Sequence, residues 1–325
     1  MKPKVIITKK IPYQVEMFIK EHCQYEMWQD TGEMPDKLLL NKVSDADGLM
    51  GPHIRVTEEL LDKAPKLKII SNIAVGYDNF DIELMKKRKI MGTHTPEVLD
   101  ESVADLAFGL ILSTARKIGY LDAYTKKGNW DMLDKPEFLG QDVYNKTLGI
   151  IGLGRIGSKV AKRAALGFDM QVLYYNRSRK KDVEENLGIK YASMEELLKE
   201  SDYVLLMLPL TKETEKMFGE KEFALMKDTG FFINVSRGKI VDEKALINAL
   251  KTKAIAGAGL DVYEDEPIQK DNPLLKMSNV VTLPHIGSAT EKTRFDMAMK
   301  AAENLVAAVK GKRPENLVPE LRAQF

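Results

Sequence analysis

A strand pattern, a glycine motif and a helical pattern follow one another directly at residues 147–166. The apolar run Thr147–Gly152 leads into Gly152-Leu153-Gly154-Arg155-Ile156-Gly157, where the helical pattern Arg155–Leu166 begins. In this spacing the first glycine permits a tight turn, the second lets the backbone approach a pyrophosphate, and the third lets helix and strand pack closely. The free amides and dipole of the new helix favour phosphate charge. The motif predicts a dinucleotide site at Gly152, Gly154, Arg155, Ile156 and Gly157; a tight turn without a ligand is the alternative.

The same alternation of strand and helix patterns continues along most of the chain. Short apolar, β-branched runs between helical patterns are typical of parallel sheets covered on both faces. The first third contains four predicted strands, Val5–Thr8, Gly48–Gly51, Leu67–Asn72 and Ile90–Thr93. Six more follow, Thr147–Gly152, Gln171–Asn176, Tyr203–Leu208, Phe231–Val235, Ala258–Val262 and Val280–Leu283. We predict an α/β protein of two domains, each a parallel sheet flanked by helices: a flavodoxin-like substrate domain and a Rossmann cofactor domain.

Two long helical patterns predict where the chain passes between these domains. Val98–Ala115 leads into the second domain, and Thr290–Lys310 leads back to the first. We expect a substrate domain at 1–99, completed by a return over 287–325, and an NADP-binding domain at 100–286. The stretch Gly119–Asn145 fits neither sheet and is predicted to be an excursion that could form a dimer arm. A homodimer is expected because the region 99–145 shows no evident core of its own.

Composition narrows the classes of partner. The 325 residues include 49 Lys+Arg and 48 Asp+Glu, a net charge of +1. Nucleic-acid and acidic-membrane partners would favour a basic excess, so neither is expected. The single cysteine, Cys23, excludes an internal disulfide and a cysteine-rich metal site. No apolar run approaches the roughly 18 residues that span a bilayer. We therefore expect a cytoplasmic protein without a metal.

The residues after the second strand of a Rossmann sheet distinguish NAD from NADP. An NAD site calls for an acid there, which binds the ribose 2′-hydroxyl. This sequence has Asn176-Arg177-Ser178-Arg179 instead, with no acid before Asp182. Arginine binds phosphate in a bidentate geometry. We predict that Arg177 and Arg179 grip a 2′-phosphate, with Asn176 and Ser178 beside them, so that NADPH is preferred over NADH. A solvated basic loop is the alternative.

Three polar residues follow neighbouring predicted strands of the second sheet. Arg237 follows Ile233–Ser236, Glu266 follows Leu260–Asp265, and His285 follows Leu283-Pro284. Ligands bind at the carboxyl ends of strands in open α/β sheets. A 2-keto acid needs an arginine for its carboxylate and carbonyl, and a proton donor for the developing alkoxide. A carboxylate behind the imidazole would favour its protonated form. Each residue alone has a structural alternative: a cap, a surface acid and a satisfied strand-end histidine.

The other histidines carry less information. His22 falls in a predicted surface helix. His53 and His94 follow strands of the first domain and could line a cleft, but the sequence shows no partner for either.

With these motifs, nearly the whole chain resembles the D-isomer-specific 2-hydroxyacid dehydrogenases. The motifs are, in chain order, Asn72–Asn79, Ser102–Asp105, Leu148–Gly157, Ser201–Thr211, Asn234–Gly238, Gly259–Pro267 and Pro284–Ser288. The resemblance implies that Arg237, Glu266 and His285 are the catalytic residues. It implies that the Val75-Gly76 backbone and Arg237 bind the substrate carboxylate, and that His285 contacts the substrate as its proton donor. It also implies a set of cofactor-lining positions: Val103, Pro209, Val235, Asp261 and Gly287, to which we add Thr214, Ser236, Arg237 and His285.

Within the family the chain is most similar to the glyoxylate/hydroxypyruvate reductases, also called 2-ketogluconate reductases. The basic loop and the runs Asn272–Leu275 and Pro284–Thr290 carry this similarity. It implies NADPH-dependent reduction of small 2-keto acids to D-2-hydroxy acids. The alternatives are an NAD-dependent dehydrogenase of the D-lactate or phosphoglycerate type and, from another class, a dinucleotide-sensing corepressor, since the fold alone does not fix function.

Overall fold

The computed structural model describes residues 2–132 and 135–325 and divides the chain into two compact units. One unit comprises Met1–Leu99 with Ala289–Phe325, and the other comprises Asp100–Ser288. Within the described residues, no helix is both long and apolar enough to cross a membrane.

The first unit contains a five-stranded parallel sheet. Its strands are β1 (Lys4–Ile7), β2 (Gln24–Met27), β3 (Gly48–Gly51), β4 (Ile69–Asn72) and β5 (Met91–Thr93), and its first helices are α1 (Tyr13–His22), α2 (Asp36–Lys42), α3 (Glu58–Lys63) and α4 (Ile82–Arg88). The order β2-β1-β3-β4-β5 is that of flavodoxin-like sheets. The prediction of four strands was wrong by one. Strand β2 was not predicted because it is an edge strand. Its residues Gln-Tyr-Glu-Met are all at least partly exposed and form no apolar run.

The second unit contains a seven-stranded parallel sheet. Its strands are β6 (Thr147–Ile151), β7 (Gln171–Tyr175), β8 (Lys190–Tyr191), β9 (Tyr203–Leu206), β10 (Phe231–Asn234), β11 (Gly257–Leu260) and β12 (Val280–Thr282). Its helices are α5 (Asp100–Ala115), α6 (Ile118–Lys126), α7 (Arg155–Gly167), α8 (Lys181–Leu187), α9 (Met194–Glu200), α10 (Glu220–Leu225) and α11 (Glu243–Lys251). The order β12-β11-β10-β9-β6-β7-β8 is the Rossmann order with a seventh strand. The predicted fold class is confirmed, although β8, only two residues long, was missed.

The last helix, α12 (Glu291–Val309), belongs to the first unit. Its small residues Ala298, Ala301 and Ala302 are buried in one apolar cluster with residues of β1 and β4. Ser71 at β4 donates a hydrogen bond of 2.8 Å to the carbonyl of Ala301. The C-terminal part of the chain therefore completes the N-terminal sheet.

Helix α5 packs within the second unit, against α7. A row of ion pairs joins the two helices: Arg155 Nε to Asp100 Oδ2 at 3.0 Å, Lys159 to Glu101 at 2.7 Å, and Arg163 to Asp105 at 2.6 Å. The expectation that 99–145 lacks a core was wrong for α5, in which nine residues are buried. It holds for α6, which buries none. Residues 133 and 134 of the predicted excursion lie outside the described residues.

Candidate active site

The glycine motif has the geometry that a dinucleotide requires. Gly152 has φ of +106°, and a Cβ there would lie 2.4 Å from the carbonyl oxygen of Met207, so only glycine fits. A Cβ on Gly157 would lie 2.5 Å from the carbonyl oxygen of Gly152, which shows how closely α7 approaches β6. A Cβ on Gly154, by contrast, would meet none of the described atoms within 4 Å. The exposed face of the loop is at Gly154, where a pyrophosphate would lie against backbone.

The start of α7 supplies amide donors at this loop. Gly154 precedes the helix and has no side chain to cap it. Within the described residues, the amides of Arg155, Ile156 and Gly157 donate no hydrogen bond, and the first helical bond is that from the Ser158 amide to the Gly154 carbonyl. Unsatisfied amides and the helix dipole attract an anion. These residues fit the pyrophosphate of a dinucleotide.

Asn176 braces the glycine loop. Its Oδ1 accepts a hydrogen bond from the Leu153 amide at 2.7 Å, and its Nδ2 donates to the Leu153 carbonyl at 3.1 Å. Both polar atoms of the side chain, predicted to lie at the cofactor, are therefore engaged in shaping the loop.

The basic loop contains two arginines in different surroundings. Arg177 and Ser178 are exposed. Arg179 is paired with Glu184 of α8, to which its Nε donates at 3.1 Å, and its guanidinium lies 5.6 Å from the centre of the Tyr191 ring. The hydrogen bonds from Arg179 and from Tyr174 lower the pKa of Glu184 to about 2. Arg179 thus already has a carboxylate partner, Glu184, which the prediction for the basic loop did not include.

The remaining predicted cofactor residues lie on the same sheet or beside it. Val103 on α5 and Val235 and Ser236 after β10 are buried, whereas Pro209 after β9 is exposed. Thr214 donates to the Pro209 carbonyl at 2.7 Å and accepts from the Thr211 amide, which closes the loop after β9. Ser236 donates from both its amide and its hydroxyl to Asn234 Oδ1.

Asp261 organises the loop that contains His285. Its side chain is buried after β11, where Oδ1 accepts from the Ile286 amide at 2.7 Å and Oδ2 from the Gly287 amide at 2.8 Å. Burial raises the pKa of this carboxyl despite the two amide donors. The backbone immediately after His285 is therefore fixed on the strand end of β11.

His285 and Glu266 form a direct pair. His285 Nδ1 lies 2.6 Å from Glu266 Oε2, and both side chains are partly exposed, at 40% and 36%. The other carboxylate oxygen, Oε1, accepts from the Tyr263 amide at 3.1 Å. The backbone of His285 is left-handed, with φ of +52°. Glu266 on the ring and Asp261 on the following amides hold this uncommon conformation. With Nδ1 directed at Glu266, Nε2 is the ring atom left for a substrate.

The pKa of Glu266 reflects these neighbours. Burial raises it, but the hydrogen bond from His285, the charge of His285, the Tyr263 amide and the charge of Arg237 together outweigh burial, so the pKa falls below the ordinary 4.5. Glu266 is therefore ionised throughout the neutral range. It lies behind the imidazole of His285 as an anion.

Arg237 follows β10 in the same unit. Its Nη1 donates to the Ser236 carbonyl at 2.8 Å. The next residue, Gly238, lies so close to Tyr263 that a Cβ would be 1.8 Å from its carbonyl carbon. This close approach brings together the loops after β10 and β11, which carry Arg237 and Glu266. The charge of Arg237 is the smallest of the influences that lower the pKa of Glu266.

In the first unit, the Val75-Gly76 loop follows β4 and is partly exposed. The Val75 carbonyl accepts from His94 Nδ1 at 2.9 Å, and the Gly76 carbonyl accepts from Asn72 Nδ2 at 2.7 Å. His53 is elsewhere engaged, with Nδ1 3.0 Å from Glu33. Sequence reasoning missed Asn72 and the partner of His94. The available signal was that both residues lie at the ends of adjacent strands beside the loop.

Comparison with known proteins agrees with this geometry. The family model of the D-isomer specific 2-hydroxyacid dehydrogenase NAD binding domain matches residues 108–287. The chain is 50% identical over 323 residues to the glyoxylate reductase of Thermococcus litoralis, covering 98% of this chain and 97% of the relative. It is 46% identical over 320 residues to glyoxylate/hydroxypyruvate reductase B of Escherichia coli, covering 98% of each.

A solved structure extends the likeness to the whole fold. The NADPH-dependent glyoxylate/hydroxypyruvate reductase of Sinorhizobium meliloti, in complex with NADP and malonate, is 32% identical, covers 98% of each chain and gives a TM-score of 0.88. The predicted resemblance is confirmed, and the family model together with the NADP-complexed structure supports a nicotinamide dinucleotide as the cofactor. This chain belongs to the D-isomer specific 2-hydroxyacid dehydrogenase family.

Proposed function

We propose that this protein is an NADPH-dependent reductase of small 2-keto acids, glyoxylate and hydroxypyruvate first and 2-ketogluconate as a larger candidate. The observation that carries the proposal is the His285–Glu266 pair, with its 2.6 Å contact and the charge of Arg237 beside it. The names of the relatives and of the solved structure support the same reaction.

Arg237, Glu266 and His285 have separate tasks in this proposal. Arg237 binds the substrate carboxylate and polarises the adjacent carbonyl. His285 donates a proton from Nε2 to the carbonyl oxygen as its negative charge develops, and in the reverse direction it accepts that proton. Glu266, ionised and bonded to Nδ1, fixes the ring orientation, so that Nε2 is the atom that faces the substrate. The amides of the Val75-Gly76 loop are further ligands of the carboxylate.

When bound, the nicotinamide dinucleotide supplies the hydride that reduces the carbonyl carbon. In this proposal the unit Asp100–Ser288 is the cofactor domain and contains the predicted cofactor-lining residues, from Val103 to Gly287. The other unit is the substrate domain. Arg177, Ser178 and Arg179 are assigned to the 2′-phosphate, which favours NADPH over NADH. At the position where an acid would bind a free ribose 2′-hydroxyl, the chain has Asn176. The side chain of Asn176 is hydrogen-bonded to the backbone of Leu153.

We also infer that the protein is a homodimer. Large apolar side chains are exposed along one segment of the chain: Ile118, Tyr120, Trp130, Met132, Leu139 and Tyr144. Such a concentration within 27 residues is typical of a protein–protein contact.

The decisive experiment is a set of initial rates with NADPH and NADH against glyoxylate, hydroxypyruvate, 2-ketogluconate and pyruvate. We expect NADPH with glyoxylate or hydroxypyruvate to give the highest kcat/KM. Pyruvate as the best substrate, or preference for NADH, would move the assignment to an NAD-dependent dehydrogenase of the D-lactate type. Cofactor binding without turnover of any 2-keto acid would instead favour a dinucleotide sensor.

A further inference from the structure

Three successive carbonyls of the loop after β4 are held by donors. The Ala74 carbonyl accepts from the Thr95 amide at 2.9 Å. The Val75 carbonyl accepts from His94 Nδ1 at 2.9 Å, and the Gly76 carbonyl from Asn72 Nδ2 at 2.7 Å. Strand β4 and the segment after β5 thus supply all three donors, and two of these are side chains.

The orientation of the carbonyls fixes that of the amides. These peptide bonds are trans, and in a trans peptide the N–H points opposite to the C=O of the same unit. The amides of Val75, Gly76 and Tyr77 therefore point away from the donors. None of the three donates a hydrogen bond to any residue in the described parts of the chain. Successive free amides of this kind form an anion-binding concavity.

The imidazole of His94 is itself held in place. A carbonyl oxygen can only accept, so Nδ1 must carry a proton in this contact. The residue is 7% exposed. The Tyr77 ring meets the His94 ring edge-on, with centroids 5.3 Å apart at 86°, and the Tyr77 hydroxyl lies 3.2 Å from both carboxylate oxygens of Glu320. His94 therefore presents Nδ1 to Val75 in one orientation.

We propose that His94 is a positioning residue for substrate recognition: its Nδ1–H holds the Val75-Gly76 peptide so that the Gly76 amide faces the substrate carboxylate. The inference rests on the proposed function and deepens it. Without this donor the peptide can rotate and direct the Val75 carbonyl at the anion, which replaces an attractive dipole with a repulsive one. His94 touches neither the substrate nor the cofactor in this role.

The test compares His94→Phe with His94→Asn. Phenylalanine keeps a buried ring against Tyr77 but has no donor, whereas the Asn amide nitrogen can take the place of Nδ1. For His94→Phe we expect the KM for glyoxylate to rise about tenfold, the worth of a hydrogen bond to a charged group. We expect kcat to change less than threefold and the KM for NADPH to stay constant. The inhibition constant of oxalate, an unreactive dicarboxylate, should rise in parallel, and His94→Asn should recover most of both losses.

The outcomes separate this inference from the proposed function. An unchanged KM and oxalate constant in folded His94→Phe would overturn the positioning role, as would a loss confined to kcat. If His94→Phe does not fold, His94→Leu serves as the second donor-free variant under the same criteria. If the wild type reduces no 2-keto acid, the proposed function fails, and oxalate titration of wild type and variant still tests the loop: equal affinities would overturn the role of His94.

Discussion

The carboxyl ends of the two sheets differ in which groups they expose: side chains in one unit and backbone amides in the other. In the unit Asp100–Ser288, the side chains of His285 and Glu266, which follow the strands, are both more than a third exposed. In the other unit, the side chains of Asn72 and His94 are buried and hold carbonyls, so the outward face consists of backbone amides. Side chains that exchange protons need exposure to substrate, whereas amides bind a carboxylate without titrating. The difference fits the proposed roles, in which His285 and Glu266 handle the proton and the backbone amides of the Val75-Gly76 loop bind an anion.

Replacement of His285 is expected to have the largest effect on the reaction. His285→Gln should lower kcat by roughly 10²- to 10⁴-fold, because the proton donor is lost, while NADPH binding measured by fluorescence should weaken far less. Glu266→Gln should lower kcat by less, because the imidazole remains. His22→Gln on α1 is the matched control and should behave as wild type. A normal kcat in His285→Gln would show that the exposed pair is not the chemical centre.

Substitutions of Arg177 and Arg179 test which of the two arginines is available to a 2′-phosphate. Arg177→Ala should raise the KM for NADPH by roughly tenfold or more, the worth of a charge-assisted contact. Arg179→Ala should raise it less, because Glu184 already neutralises the Arg179 guanidinium. The KM for NADH is the internal control and should not change in either variant. Equal losses for both variants would show that the pairing with Glu184 leaves Arg179 fully available; a parallel loss with NADH would remove the 2′-phosphate from the explanation.

The smallest expected effect is on stability and concerns Tyr77, whose ring packs against His94. Burial, with the charge and hydrogen bond of Glu320, raises the pKa of Tyr77 to about 12 from 10.0. A raised pKa contributes stability that is fully present below pH 10 and is lost as the pH rises to 12. Relative to Tyr77→Phe, the wild type should lose roughly 1–2 kcal/mol of unfolding free energy over this window. Urea unfolding at pH 8 to 12 measures the difference, and a constant difference would show that Tyr77 is not held as described.

Sequence patterns predicted much of the fold and the candidate residues at the strand ends of the unit Asp100–Ser288. The parallel sheets followed from the apolar runs, and Arg237, Glu266 and His285 were identifiable because each follows a predicted strand. The edge strands β2 and β8 were missed because an exposed or two-residue strand forms no apolar run. The Arg179–Glu184 pair was not predicted because Glu184 lies five residues further along the chain, and the turn into α8 brings it back to Arg179.

The linear chain by itself determined the glycine turn, the strand alternation and the residue types at the strand ends, because local sterics and burial period are encoded in neighbouring residues. Only the tertiary structure shows that Glu184 is the partner of Arg179 and that His94 and Asn72 hold the Val75-Gly76 loop. It also gives the expected Glu266–His285 pair its 2.6 Å contact. A hydrogen bond depends on distances of a few tenths of an ångström and on the orientation of a peptide plane. Those quantities are fixed only when strands distant in the chain lie side by side.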